Sequence, residues 1–348
     1  MAPLKSSLAR TVGKLLGVQK DADLSLRGSS QSSRVPPPIP FSATGGTTLT
    51  PGNGYKYHIF LAPAAPETFD VSGAPGTIDI FMVAGGGGGG WSGGNTPGSG
   101  GGGAGGLVEL TSQSLTIGTY PVTVGTGGRG GGPGSYNSAP VQPLSGTNTV
   151  FNSIVAYGGG RGEAHPQSGF RAEPGGSGGG SMENHEIGYG VNPGTPQGFL
   201  DPLSPPATAP YPITQGTPGG LGPDQGGGGG GGAGNGTVGP GDGGTGDPGD
   251  APGNSGSGGH GRVAFSGDTG IPASYGTSGP GPGRYFAGGG GGAAYSGRIM
   301  GAPPPFGGGG GGGTDGNSGQ ANTGGGGGGG VDSGGSGADG IVIIRYTV

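Results

Sequence analysis

Apolar and polar positions alternate over short runs separated by turn residues. Tyr55, Tyr57, Ile59 and Leu61 interleave with Lys56, His58 and Phe60, and further apolar runs occupy 67–71, 77–83, 107–110, 115–117, 120–124, 150–151 and 154–157. A last run, Ile341-Val342-Ile343-Ile344-Arg345-Tyr346, stands at the far end of the chain. Short strands bounded by turn residues predict a small antiparallel sandwich. Pro121 cannot donate to a sheet ladder, so it is expected at an edge or a bulge. The last run is expected to return and pair with the early strands. Residues 1–34 follow a different rhythm. Leu4, Leu8, Val12, Leu15 and Leu16 recur at helical spacing, with Pro3 suited to a first turn and Gly17 to a stop. A helix this short is marginal alone; it reads as a docking peg or extended anchor, against the alternatives of a solvated amphipathic tail and a membrane-surface helix. Pro36-Pro37-Pro38-Ile39-Pro40 then forms a stiff spacer.

Between the apolar runs lie tracts of nearly pure glycine at 85–90, 100–106, 226–232, 288–292, 307–313 and 324–330. Glycine supplies 104 of 348 residues and proline 34, together about two-fifths of the chain. Such a bias without a Gly-X-Y period ordinarily means low complexity. Nesting the tracts between strands argues instead for a folded scaffold. Glycine loses the most backbone entropy on folding, and few side chains are available to offset it, so the main chain itself must supply the cohesion. Left-handed helices with three residues per turn and about 3.1 Å rise do this. Their amides and carbonyls all point outward, and without Cβ atoms their axes approach closely enough for Cα–H···O contacts. The expected fold class is mainly β with irregular structure. A small antiparallel β-sandwich carries a bundle of polyglycine II helices, with a short N-terminal helix or extended anchor. The expected organisation is 1–40 anchor and spacer, 41–160 sandwich hub with the first glycine runs, 161–338 polyglycine bundle, and 339–348 closing strand.

Composition excludes several chemistries. With no cysteine there is neither a disulfide framework nor thiol chemistry. The net charge of −5 argues against a nucleic-acid binder. It divides into +4 over residues 1–34 and −9 over the rest, so the two parts are expected to meet different partners. No run of eighteen apolar residues exists to span a membrane, and the N-terminus lacks a signal-peptide core. Gly-x-Gly-x-x-Gly matches carry no information against this background, and no lysine completes a phosphate-binding loop. His58, His165, His185 and His260 are too scattered for zinc. The Asp/Gly stretch 241–250 has calcium-ligand chemistry but lacks a nonapeptide repeat. No nucleophile stands beside a base, so neither an enzyme nor a cofactor is expected. Aromatic residues concentrate in the connectors: Tyr189, Phe199, Tyr211, Tyr275, Tyr285, Phe286, Tyr295 and Phe306. Loops on a rigid scaffold carry function, which makes these eight the candidate receptor-binding residues. The opposing reading is that they cap the bundle.

The order of Ile80-Phe81-Met82-Val83-Ala84 before glycines 85–90, of 100–106 before Leu107-Val108, and of Gly118-Thr119-Tyr120-Pro121-Val122-Thr123-Val124-Gly125 resembles the glycine-rich domains of bacteriophage tail fibres and adhesins, cyanophages included. Ala156-Tyr157-Gly158-Gly159-Gly160 and the closing Gly340–Tyr346 stretch continue the likeness, which covers roughly 75–348. The resemblance implies a non-enzymatic virion protein, assembled in the host cytoplasm without a signal peptide. Its N-terminus would attach to other virion proteins, and tip loops would bind a bacterial surface glycan or outer-membrane protein. A homo-oligomer, by analogy a trimer, is expected. The competing expectation is a capsid or tail decoration or adaptor protein that binds no host. A matrix or ice-binding protein is a third reading, but the flat face of regular Thr or Ala that ice requires is missing.

Overall fold

The structure is a computed structural model that describes residues 39–62, 66–93, 98–133, 140–164, 171–181, 215–217, 219–220, 255–294 and 299–348. The anchor residues Leu4, Leu8, Val12, Leu15 and Leu16 lie outside the described residues. So do Tyr189, Phe199, Tyr211, Tyr295, the glycine run 226–232 and the 241–250 stretch. Residues Phe41–Val348 form one compact unit.

Two five-stranded antiparallel sheets make the sandwich. The first contains β1 (Phe41–Thr44), β4 (Glu67–Gly73), β7 (Gly118–Thr123), β8 (Thr149–Phe151) and β9 (Ile154–Ala156), in the order β1-β4-β7-β8-β9. The second contains β2 (Thr47–Leu49), β3 (Tyr55–Leu61), β5 (Gly76–Val83), β6 (Leu107–Leu115) and β14 (Ile341–Thr347), in the order β2-β3-β14-β5-β6. The last strand therefore closes the sheet from its centre: Ile343 faces Ile59 on one side and Phe81 on the other. Four short strands lie outside the sandwich. Of these β10 (Arg262–Val263) pairs with β11 (Tyr285–Phe286), and β12 (Gly313–Asp315) with β13 (Gly330–Ser333).

Alternation decides what each face buries. Phe60, Ile78, Ile80, Met82, Val342 and Ile344 point between the sheets, against Phe69, Val71, Val122 and Phe151. The opposite face of the second sheet carries Tyr57, Ile59, Phe81, Val83, Ile341 and Ile343, and the 264–287 segment covers it with Ala264, Phe265, Ile271 and Phe286. Burial on both faces is why 341–344 reads as unbroken apolar sequence, as central strands covered on both sides do. His58 is enclosed in the sandwich, with Nδ1 2.7 Å from the Gly45 carbonyl oxygen, and burial holds its pKa below the ordinary histidine value. Pro121 corrects the expectation of an edge strand, because β7 is the middle strand of its sheet. It is tolerated because β8 begins its pairing one residue later, at Val122, and the chain then turns so that the Asn152 N–H donates to the Pro121 carbonyl.

The described glycine tracts leave the sandwich as rods and pack in a hexagonal lattice, with rod 84–90 at a centre. Its N–H groups follow a period of three. Ala84, Gly87 and Gly90 donate to Gly106, Gly103 and Gly100; Gly85 and Gly88 to Thr147 and Leu144; Gly86 and Gly89 to Ala338 and Gly335, all at 2.8–3.1 Å. Its carbonyls accept with the same period. Those of Gly85 and Gly88 take Gly159 and Gly162, those of Gly86 and Gly89 take Gly128 and Gly131, and those of Gly87 and Gly90 take Gly327 and Gly330. Six rods thus surround one, three receiving and three donating, which is what a helix of three residues per turn with outward-pointing amides requires. Rod 324–330 is enclosed in the same way, by rods containing 87, 102, 288, 310, 317 and 335. Neighbours run both parallel and antiparallel. The cohesion is main-chain hydrogen bonding, which leaves few buried amides unpaired.

Close approach explains the composition. A Cβ on Gly87 would fall on the Gly160 carbonyl oxygen, and one on Gly102 on that of Gly87. No other residue fits these positions.

Candidate functional site

Direction along the rods defines two ends. Ala84 continues β5, Gly106 precedes β6, Gly340 precedes β14, and the Gly340 N–H donates to Gly125 just after β7, so this end sits on the sandwich. At the other end Gly90 pairs with Gly100, Gly330 with Gly90, and Ser99 with Ala293. The nine residues 84–92 span roughly 28 Å at 3.1 Å per residue. Ser181, Gly131 and Gly180 belong to this end: the Ser181 N–H donates to Gly220, Gly131 to Gly89 and Gly180 to Gly101. Trp91 Nε1, Ser181 Oγ and Ser255 Oγ are buried there with no hydrogen-bond partner among the described residues. Among the described residues no group of three His, Asp or Glu stands together to hold a metal ion.

Four of the candidate aromatic residues are described, and they belong to one cluster at the base of the bundle. Tyr285 and Phe286 are buried, 3% and 0% exposed. Phe286 packs 5.2 Å from Phe81, centroid to centroid, on the outer face of the second sheet. Tyr275 is half-buried against the same cluster. Phe306, also half-buried, stacks on His260 at 4.9 Å and meets Tyr285 edge-on at 4.8 Å. Only Tyr275 and Phe306 of these four present part of their rings to solvent.

A polar lock fastens this cluster to the sheet, and no sequence pattern announced it. Arg345, Tyr57 and Asp79 are register partners across β14, β3 and β5. Arg345 Nε donates to Asp79 at 2.9 Å, and its Nη1 donates to Asp268, which also accepts from the Tyr57 hydroxyl. Asn53 Nδ2 bonds the Tyr57 oxygen at 2.6 Å and Asp268 at 3.1 Å. The guanidinium lies between the rings of Tyr55 and Phe265, 4.3 and 4.2 Å from their centroids, a cation–π arrangement. Burial, followed by the hydrogen bond to Asp268, pushes the Tyr57 hydroxyl up to about 12. Burial alone would raise Asp268, but hydrogen bonds from Tyr57, the Gly270 N–H and Arg345 outweigh it and hold the carboxyl below its ordinary range. The network pairs the Arg345 guanidinium with both carboxylates, Asp79 and Asp268. The signal that could have found it is Arg345, a cation in an otherwise apolar strand.

The bundle also carries a lateral groove of about 330 Å³. Gly308–Gly311 form its floor, Pro303–Phe306 one wall, and Asn317, Ser318 and Gln320 the other. Asn317, Ser318 and Gln320 are exposed.

A family model described as a glycine-rich domain matches residues 64–347, the bundle and the sandwich from β4 onward. No curated protein matches the chain.

Proposed function

Because the chain belongs to this glycine-rich domain family, we propose that it is a non-enzymatic structural protein of a bacteriophage particle, a tail fibre or adhesin. The sandwich serves as hub, the rods project from it, and sequence carried at their distal end meets a bacterial surface glycan or outer-membrane protein. Residues 1–40 attach the protein to other virion proteins. The observation that carries this reading is the direction of the rods, which run from the sandwich at Ala84, Gly106 and Gly340 to a separate distal end at Gly90, Gly100 and Gly330. A lattice of main-chain hydrogen bonds is stiff, and loops on a stiff scaffold can vary without disturbing the fold.

A capsid or tail decoration or adaptor protein is the second reading. The burial of Tyr285 and Phe286 favours it, since it withdraws two rings from any receptor surface.

The test is binding of the fluorescently labelled full chain to intact candidate host bacteria, beside a version lacking 182–214. Saturable binding that the deletion reduces at least tenfold is expected. Folded protein that binds no candidate host would leave the decoration reading in its place.

A further inference from the structure

Among the described residues, the groove is a pair of unfilled positions in the polyglycine lattice. Rod 307–313 has four rod neighbours among the described residues, where rods 84–90 and 324–330 have six. Gly310 and Gly313 donate to rod 324–330, and Gly312 donates to Gly301. The carbonyls of Gly307 and Gly310 accept from Gly288 and Gly291, and those of Gly308 and Gly311 accept from Gln320 and Asn317. With three residues per turn, each rod has three donor directions and three acceptor directions, alternating around its axis. Two directions remain, adjacent to one another. One carries the N–H groups of Gly308 and Gly311, the other the carbonyls of Gly309 and Gly312, and none of these four has a hydrogen-bond partner among the described residues. Both directions open between the 303–306 and 317–320 walls, where the groove lies.

We propose that this groove binds an extended glycine-rich peptide in the left-handed, three-residue-per-turn conformation, as one more rod of the lattice in either of these two positions. Charge complementarity selects this occupant. A row of N–H dipoles beside a row of carbonyl dipoles, each repeating every third residue, is matched by a backbone with that same repeat. The four floor residues seat about 12 Å of such a strand. A Cβ on the incoming peptide would meet the floor as one does inside the bundle, where a Cβ on Gly87, Gly102, Gly309 or Gly327 would fall on a neighbouring carbonyl oxygen. Specificity for glycine therefore arises from the absence of space. Binding is by main-chain hydrogen bonds along an edge, the principle by which sheets accept added strands, transferred here to a lattice of three-fold helices. The inference does not depend on the particle or host assigned above.

The experiment is a titration of the folded full chain, followed by amide chemical shifts, with a hexaglycine peptide flanked by lysines for solubility. A hexa-alanine peptide with the same flanks is the comparison. Saturable binding is expected, with shifts centred on 308–311 and 317–320 and at least tenfold weaker binding of the alanine peptide. Gln320→Trp and Asn317→Trp, at exposed wall positions, are each expected to weaken hexaglycine binding at least tenfold while leaving the thermal midpoint unchanged. Equal affinity for the two peptides would overturn the proposal. So would shifts elsewhere, undiminished binding by both folded tryptophan variants, or no hexaglycine binding by the folded protein.

Discussion

Gly327→Val is expected to destabilise the protein by at least about 3 kcal/mol, the upper range for overpacking a filled interior. Gly327 donates to Gly87 and accepts from Gly102, so two neighbours fix its rod on two sides. On the third side a Cβ would fall on the Gly335 carbonyl oxygen, with the Gly335 and Ser336 backbone behind it. Backbone cannot rotate aside as a side chain would. The rod must move, and moving it breaks bonds to several neighbours at once. The thermal midpoint should fall by roughly 6–12 °C at 2–4 °C per kcal/mol. Gly118→Ala is the control, because no atom lies within 4 Å of a Cβ there, and its midpoint should stay within about 1 °C of wild type. An unchanged midpoint for Gly327→Val would mean that the rods are not packed as described.

Arg345→Ala is expected to have a comparable effect, about 3–5 kcal/mol, because it strips one partner from a buried network. The side chains of Arg345, Asp79 and Asp268 are only 12%, 17% and 8% exposed. Removing the cation leaves two carboxylates facing an apolar cluster, and the segment around Phe265 and Ile271 loses its link to the sheet. Arg345→Lys keeps the charge but not the fork that reaches both carboxylates, so it should fall between alanine and wild type. The pH dependence has a definite sign. Asp268 titrates below its ordinary value of about 3.8 in the folded protein. Its contribution is therefore fully present above that value and is lost as pH falls through the lower folded one. Urea titrations should give a constant gap between wild type and Arg345→Ala near neutrality, narrowing below about pH 4. A gap under about 1 kcal/mol at pH 7 would reduce the network to a surface pair.

The sandwich was legible because strands buried on one face announce themselves by alternation, as β4 does with Phe69 and Val71. The closing strand was legible for the opposite reason: 341–344 is apolar without a break. That lack of a break carried a further message, that both faces of the sheet are covered. It identifies Phe265, Ile271 and Phe286 as the cover, although they sit in a Gly/Pro-rich connector where aromatics look like surface. Pro121 misled because edge and interior were judged by strand, whereas a proline needs only a position where its neighbour has stopped pairing. Glycine content and run length pointed to the rods themselves. Which rod meets which was not legible, because neighbours in this lattice recognise one another through identical backbone groups. Position is set by where each rod joins the sandwich and by its three-residue phase. The Asp268–Arg345 link joins residues 77 apart, so no local pattern exposes it. The groove has no sequence signature either, since an unfilled lattice position is a property of the neighbours.

The central claim is that glycine tracts form a hydrogen-bonded, buried lattice, and amide hydrogen exchange tests it most directly. The amides of 85–90 all donate to neighbouring rods and are buried. They should therefore exchange as slowly as those of β14 in the centre of the second sheet, through opening of the whole unit. Exchange of 85–90 at the rate of unstructured polyglycine, while β14 stays protected, would contradict the account and leave a folded sandwich with loose glycine tails.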